Sequence, residues 1–303
     1  MFRHLCLATL LVAAPLFARS QGPPARERAE WMALAKGGFV VPAGQRAIDV
    51  LREMNALLAS VDPVLRDEVA YSAAERWILR DKALTPAELR SVTAMWSTNL
   101  GEGLGETGTD GVFRRSFSAL CLSVVAAADL SAPFLEPDEA RAFFDRMLDY
   151  FARERDIRGF DPARGWMHSV AHTADALKFL ARSPKLGAGT DTRLLDAVRA
   201  KLESVDTVFQ WGENDRVALA LHSAVRRADA DRADLEAWAA HWVEAHRALW
   251  AGGPQVDPRQ FAVVENAKQV MRSLHAALSM EASPTPAGEA ARTALAAALA
   301  KMR

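Results

Sequence analysis

The chain has 303 residues, of which 50% are hydrophobic and 25% charged, and its formal net charge is −1. This composition supports a substantial buried core and excludes an intrinsically disordered chain. A net charge near zero supplies no basic surface for nucleic acid, so we expect no nucleic-acid partner.

The first twenty residues have the pattern of a cleavable signal peptide. Arg3 and His4 give a basic start, residues 5–17 form an apolar run too short to span a bilayer, and Ala18-Arg19-Ser20 is a small-x-small cleavage site. We predict cleavage after Ser20. The mature protein is therefore expected to be periplasmic or secreted, without an integral membrane segment.

The remainder is predicted to be all-α. Apolar residues recur at spacings of three and four, and strict apolar–polar alternation is almost absent. Glycine and proline clusters divide the chain into about ten helices joined mostly by short loops. We expect residues 21–45 to form an N-terminal extension or linker and residues 46–303 a single helical repeat domain. Cys121 lies in an apolar run and is expected to pack in the core.

Similar polar clusters mark the starts of alternate helices, with an internal period near fifty residues. Their markers are Arg66, Arg115, His168, Asp215 and Asn266. Such a period predicts helical hairpins stacked as an α/α solenoid or a partly closed toroid, and residues 62–70 resemble the second helix of a HEAT repeat. Stacking would bring the polar helix starts into one groove. The competing interpretation is a structural ladder of ion pairs formed by Arg66, Asp67, Asp215 and Arg216.

The segment from Gly165 to Asp175 holds the strongest candidate site. Offsets of four and three place His168, His172 and Asp175 on one face of a predicted helix, where they could act in acid–base catalysis. Two imidazoles one turn apart could also ligate a divalent transition metal such as zinc, with Asp175 and Glu213 completing the set. A solvated face with a structural role is the third interpretation.

Charged residues near two other predicted helix starts extend this candidate site. Arg158 could clamp a carboxylate or phosphate, or it could tie down its loop together with Asp156. Asp110 could cap the next helix, whose positive end beside Arg115 would favour an anionic ligand. The predicted ligand-binding set comprises Arg115, Asp110, Asp156, Arg158, Trp166 and Asp215.

These motifs resemble the bacterial family named domain of unknown function 2785. The stretches that carry the resemblance lie within residues 31–282 and are residues 62–71, 109–120, 154–159, 165–175 and 213–221. Met167 stands where we expect alanine in the family pattern, a difference that concerns packing more than chemistry. The resemblance implies an all-helical domain and implies no particular activity.

The sequence thus predicts an exported helical-repeat protein whose polar groove binds a small anionic or peptide ligand. One alternative is a metal-dependent hydrolase or lyase that uses His168, His172 and Asp175. The other alternative is a structural scaffold, in which the ion-pair ladder matters and the histidines do not.

Overall fold

A computed structural model of the chain describes residues 26–303, so the predicted signal peptide lies outside the described residues. The first half of this region contains α1 (Arg28–Lys36), α2 (Ala47–Met54), a 3₁₀ turn (Leu57–Ala59), a π-helix (Val64–Tyr71), α3 (Ser72–Glu75), a second π-helix (Arg76–Arg80), α4 (Pro86–Asn99) and α5 (Gly111–Ser131). The second half contains α6 (Pro137–Arg153), β1 (Phe160–Asp161), β2 (Gly165–Trp166), α7 (Ser169–Leu180), α8 (Thr190–Ser204), α9 (Glu213–Val225), α10 (Arg232–Trp250), α11 (Pro258–Ser279) and α12 (Pro286–Ala300). The all-α prediction is confirmed.

Local signals fix several of the helix starts. Thr85 and Glu88 form a capping box at α4, with Pro86 at its first position. The carboxylate of Asp257 accepts the backbone N–H groups of Arg259 and Gln260 at the start of α11. These contacts satisfy amides that have no partner inside the helix.

The longer helices pack in two alternating sets. Helices α5, α7, α9 and α11 contact one another in that order, while α8 packs on α6 and α10. Helix α7 therefore lies between α5 and α9, and the starts of α7 and α9 border the same cavity. This neighbourhood positions the candidate site.

Helix α5 contributes more buried residues than α7, α9 or α11. Of the helices in residues 26–303, it is the one long and apolar enough to cross a membrane, but 78% of its most hydropathic window is buried inside the protein. Cys121 is fully buried there, which confirms its core position, and burial raises the pKa of its thiol. Helix α5 is thus the central core helix of the described region.

The segment expected to be an N-terminal extension or linker, residues 21–45, contains a helix. This is α1, whose Trp31 is 4% exposed and belongs to the core. Arg26 also bonds the side chains of Gln45 and Glu53. One buried tryptophan on a nine-residue helix gives too short an apolar pattern to separate a docked helix from a linker.

Arg66 has a structural role, as the ladder interpretation proposed, although its partners are carbonyls. Its guanidinium is fully buried and donates to the backbone oxygens of Ser60, Arg164 and Trp166. The guanidinium carbon also lies 4.0 Å from the centre of the Phe113 ring. Arg66 thereby fixes the β1–β2 hairpin that precedes α7.

Candidate functional site

A cavity of about 470 Å³ opens where α7 and α9 begin, next to α5 and the first π-helix. This volume is typical of a site for a small molecule. Its lining combines imidazole, carboxylate, guanidinium and aromatic groups. The lining residues are Tyr71, Leu120, Trp166, His168, His172, Asp175, Trp211, Gly212, Asp215 and Arg216.

His168 stands immediately before α7, not within it. Its backbone is left-handed (φ 53°, ψ 35°), a conformation that is unfavourable for a residue with a side chain and that recurs at functional sites. The imidazole Nε2 lies 2.9 Å from the carbonyl oxygen of Trp211. Because a carbonyl only accepts, Nε2 of His168 must carry the proton and donate it to Trp211. Burial lowers the pKa of His168, and the nearby Glu213 carboxylate partly opposes that shift.

His172 lies one turn further along α7 and is 8% exposed. Its Nδ1 is 2.7 Å from Oγ of Ser116 on α5, and its ring meets that of Phe117 edge-on at 5.0 Å between centroids. Burial, followed by the positive charges of His168 and Arg216, holds the pKa of His172 well below its ordinary value of 6.5. The imidazole of His172 is therefore neutral at pH 7.

Asp175 and Arg216 form an ion pair on the cavity wall. The carboxylate Oδ2 accepts from Nη1 of Arg216 at 2.6 Å, and Oδ1 accepts from Lys178 at 3.2 Å. Asp175 is almost buried, whereas the Arg216 side chain is 48% exposed. Among residues 26–303, the other guanidinium nitrogens of Arg216 have no hydrogen-bond acceptor. Arg216 can therefore still donate to a ligand in the cavity.

Hydrogen bonds hold the residues at the start of α9 in place beside the cavity. Glu213 is 1% exposed, and its Oε2 accepts the backbone N–H of Trp211 at 2.8 Å. Its other oxygen lies 3.8 Å from Nε2 of His168. Asp215 lines the cavity and accepts from Ser273 at 2.6 Å. Glu213 thus holds Trp211, to which His168 also donates.

Three aromatic rings meet at the edge of this cavity. Trp166 stacks on His168 with 4.7 Å between centroids and an interplanar angle of 21°. Phe160 lies 4.8 Å from Trp166 and 5.8 Å from Trp211, measured between ring centroids. Phe160 is 38% exposed and Trp211 44% exposed. Exposed aromatic surface beside a polar cavity is typical of a ligand-binding site.

The structure brings together the three residues predicted to be catalytic. His168, His172 and Asp175 all line the cavity, with Trp166 and Asp215 from the predicted ligand-binding set. Trp166 lies on β2, however, and α7 begins only at Ser169. Trp166 and His168 were expected on the same helix as His172, but the helix begins after both of them, because Gly165 and Trp166 pair with the other strand of the hairpin.

The predicted metal set of His168, His172, Asp175 and Glu213 is not assembled. Within residues 26–303, no three His, Cys, Asp or Glu side chains converge to hold an ion. One nitrogen of each imidazole is already bonded to Trp211 or Ser116, and both oxygens of Asp175 bind cations. The bond at one imidazole nitrogen leaves the other nitrogen able to coordinate, but zinc would also need a third ligand that these residues do not bring into place.

Arg115 and Asp110, both predicted to bind the ligand, do not line this cavity. Arg115 is fully buried and forms a two-bond ion pair with Glu154, at 2.5 and 3.2 Å. Its Nη1 donates to the carbonyl of Glu102, and Nη2, which also bonds Glu154, donates to the carbonyl of Glu106. Asp110 precedes α5 but makes no capping bond, and it pairs on the surface with Arg164. Sequence spacing located both side chains at the helix start but could not give their direction.

Asp156 and Arg158 have the structural role that the sequence left open. The buried Asp156 carboxylate accepts from the backbone and guanidinium of Arg158 and from the N–H of Gly108. Arg158 also donates to the carbonyl of Thr109 at 2.6 Å. Together they tie the glycine-rich loop that precedes α5, residues 101–110, to the segment before β1. Neither side chain lines the cavity that contains His168 and His172.

Several lining residues were missed as site residues. Arg216 was read as part of the ion-pair ladder, and Trp211-Gly212 as a turn between helices. Tyr71 and Leu120 end two of the stretches that carry the family resemblance, residues 62–71 and 109–120, but neither was singled out as a site residue. Arg216 directly follows the predicted Asp215, so the signal for it was the same polar cluster.

Comparison with known proteins gives one match. The family described as Protein of unknown function (DUF2785) matches residues 100–276, which is more than half of the chain. No curated protein and no solved structure matches the chain. The matched region includes both cavity histidines, Asp175 and Arg216. The chain therefore belongs to the DUF2785 family.

Proposed function

We propose that the cavity between α7 and α9 binds a small molecule that carries an anionic group. The observation that supports this most directly is the state of Arg216. Arg216 lines the cavity and is half exposed. Its Nη1 donates to Asp175, while its other nitrogens have no acceptor within residues 26–303. A guanidinium of this kind can bind a carboxylate or phosphate through two parallel hydrogen bonds.

The surrounding residues support a small ligand more than a peptide. The cavity volume of about 470 Å³ suits a compact molecule, and Trp166 and Trp211 supply aromatic surface beside the polar groups. In this proposal Arg216 replaces Arg115 as the residue that recognises the anion. The enzymatic alternative, a hydrolase or lyase, retains His172 as a neutral group in the same cavity.

Two further proposals concern the chain as a whole. The ordered contacts of α5, α7, α9 and α11 support hairpins stacked as an α/α solenoid, which would place successive helix starts along one surface. The pattern of residues 1–20 supports export by a cleavable signal peptide. In that case the ligand would be one available in the periplasm or outside the cell.

The experiment is a thermal-shift and calorimetric screen of small carboxylates and phosphates against wild-type protein and Arg216→Gln. We expect saturable binding by the wild type and affinity at least ten-fold weaker for the variant, because one charge-assisted contact is lost. Arg193→Gln is the matched control, since Arg193 is also half exposed and also pairs with one carboxylate, Asp145. Equal affinity in all three proteins would refute the proposal. Elemental analysis of the same preparation tests the zinc alternative.

A further inference from the structure

The hydrogen bonds of Ser116 determine which nitrogen of His172 carries its proton. Oγ of Ser116 makes two short contacts, one with the carbonyl oxygen of Met167 and one of 2.7 Å with Nδ1 of His172. The carbonyl can only accept, so the single hydroxyl proton of Ser116 goes to Met167. Nδ1 of His172 must then donate to the Ser116 oxygen.

This arrangement leaves Nε2 of His172 without a proton. A neutral imidazole carries one N–H, and Ser116 holds it at Nδ1. Within residues 26–303, Nε2 has no hydrogen-bond partner and is not fully buried, and His172 lines the cavity. His172 therefore presents a fixed acceptor to the cavity, while His168 uses its own Nε2–H on Trp211.

The acceptor, Nε2 of His172, and the cationic donor, the guanidinium of Arg216, belong to residues that line the same cavity. Asp175 is one turn beyond His172 on α7, and it holds Arg216 through Nη1 at 2.6 Å. A ligand whose anionic group meets Arg216 is therefore within reach of Nε2 of His172. It gains a second polar contact only if it also carries a hydrogen-bond donor. Trp211, which is 44% exposed, offers an aromatic face to a ring or carbon chain.

We propose that the ligand is a hydroxycarboxylate, with its carboxylate on Arg216, a hydroxyl donating to Nε2 of His172, and its carbon skeleton against Trp211. This inference rests on the proposed anion-binding function and adds a requirement for the hydroxyl group. Ser116 is a positioning residue, because it sets the proton of His172 without facing the ligand.

Three probes of similar size separate the two contacts. D-Glucuronate carries both a carboxylate and hydroxyls, cyclohexanecarboxylate lacks the hydroxyls, and D-glucose lacks the carboxylate. We expect wild-type protein to bind glucuronate at least ten-fold more tightly than either of the others in calorimetric titrations. His172→Phe should lose the preference for glucuronate over cyclohexanecarboxylate. Phenylalanine keeps the ring, and the Ser116 hydroxyl keeps its bond to Met167.

A spectroscopic measurement tests the inference independently of affinity. Long-range ¹H–¹⁵N correlation spectra should show His172 as the Nδ1–H tautomer in the wild type and a mixture of tautomers in Ser116→Ala. Ser118→Ala is the control. It also removes a buried hydroxyl from α5, but that hydroxyl bonds Asn99 instead of His172.

The outcomes distinguish this inference from the proposed function. If glucuronate and cyclohexanecarboxylate bind equally and both depend on Arg216, the hydroxyl requirement is wrong and anion binding stands. If His172 is the Nε2–H tautomer in the wild type, the inference is also wrong. If no carboxylate binds in a manner that depends on Arg216, both proposals fail.

Discussion

The indole of Trp211 lies directly against the backbone of Gly159. A Cβ atom added at Gly159 would stand 2.0 Å from Cδ1 of the indole, closer than any real contact. Trp211 also separates the ligand cavity from a second cavity of about 360 Å³, lined in part by Arg158 and Phe209. The absence of a side chain at position 159 therefore sets the position of the wall between the two cavities.

Gly159→Ala is expected to push the Trp211 side chain out of this position. Because the indole is already half exposed, we expect it to swing toward solvent, with a loss of about 1 kcal/mol in the free energy of unfolding. The indole N–H resonance of Trp211 should shift in ¹⁵N-tryptophan spectra, and urea titration gives the stability. Gly252→Ala is the control, since a Cβ there would meet nothing within 4 Å. An unmoved Trp211 resonance would contradict the prediction.

Arg115 is expected to support the fold and not the ligand. Arg115→Ala leaves the Glu154 carboxylate, 3% exposed, without its guanidinium partner, and loss of one member of a buried ion pair costs about 3–5 kcal/mol. Urea unfolding measures this loss. Arg247→Ala removes an arginine from a solvent-exposed pair with Glu244 and should leave stability unchanged within error. A stable Arg115→Ala protein with weakened ligand binding would restore the original binding role.

The contrast between Arg115 and Arg216 shows what the sequence could and could not provide. Helical periodicity placed both at the starts of alternate helices, and in the structure Arg115 lies in the first turns of α5 and Arg216 in the first turn of α9. Periodicity does not say where a long side chain ends. Arg115 turns inward to Glu154, and Arg216 lies on the cavity wall, because of partners that are 39 and 41 residues away in sequence.

The histidine cluster was more predictable, because its spacing is local. Four- and three-residue offsets bring His168, His172 and Asp175 to one cavity even though the helix begins at Ser169. The left-handed backbone of His168 was not predictable. It results from the turn out of β2, which Arg66 fixes from about one hundred residues away.

The left-handed backbone of His168 predicts an unusual order of stability between two variants. His168→Gly and His168→Ala both remove the imidazole, but glycine accepts a φ of 53° without strain. We expect the glycine variant to be more stable than the alanine variant by about 1 kcal/mol in urea unfolding. At His222, inside α9, the order should reverse, because glycine disfavours a helix interior. The same order at both positions would show that the backbone of His168 is not left-handed.

His172 should make the protein less stable as the pH falls below about 6.5. Its folded-state pKa lies well below 6.5, mainly because of burial, so below pH 6.5 the unfolded chain binds a proton at this position that the folded chain does not. The contribution is absent above the unfolded pKa and grows toward the folded pKa, at up to about 1.4 kcal/mol per pH unit.

The measurement compares wild-type protein with His172→Phe in urea titrations between pH 7 and pH 5. Carboxylates and the other histidines titrate in both proteins, so their contributions largely cancel in the difference. We expect the stability of the variant to fall less steeply with acidification, by up to about 1.4 kcal/mol per pH unit. Parallel curves would mean that His172 takes up its proton equally in both states. Burial would then not lower the pKa of His172 in the folded protein.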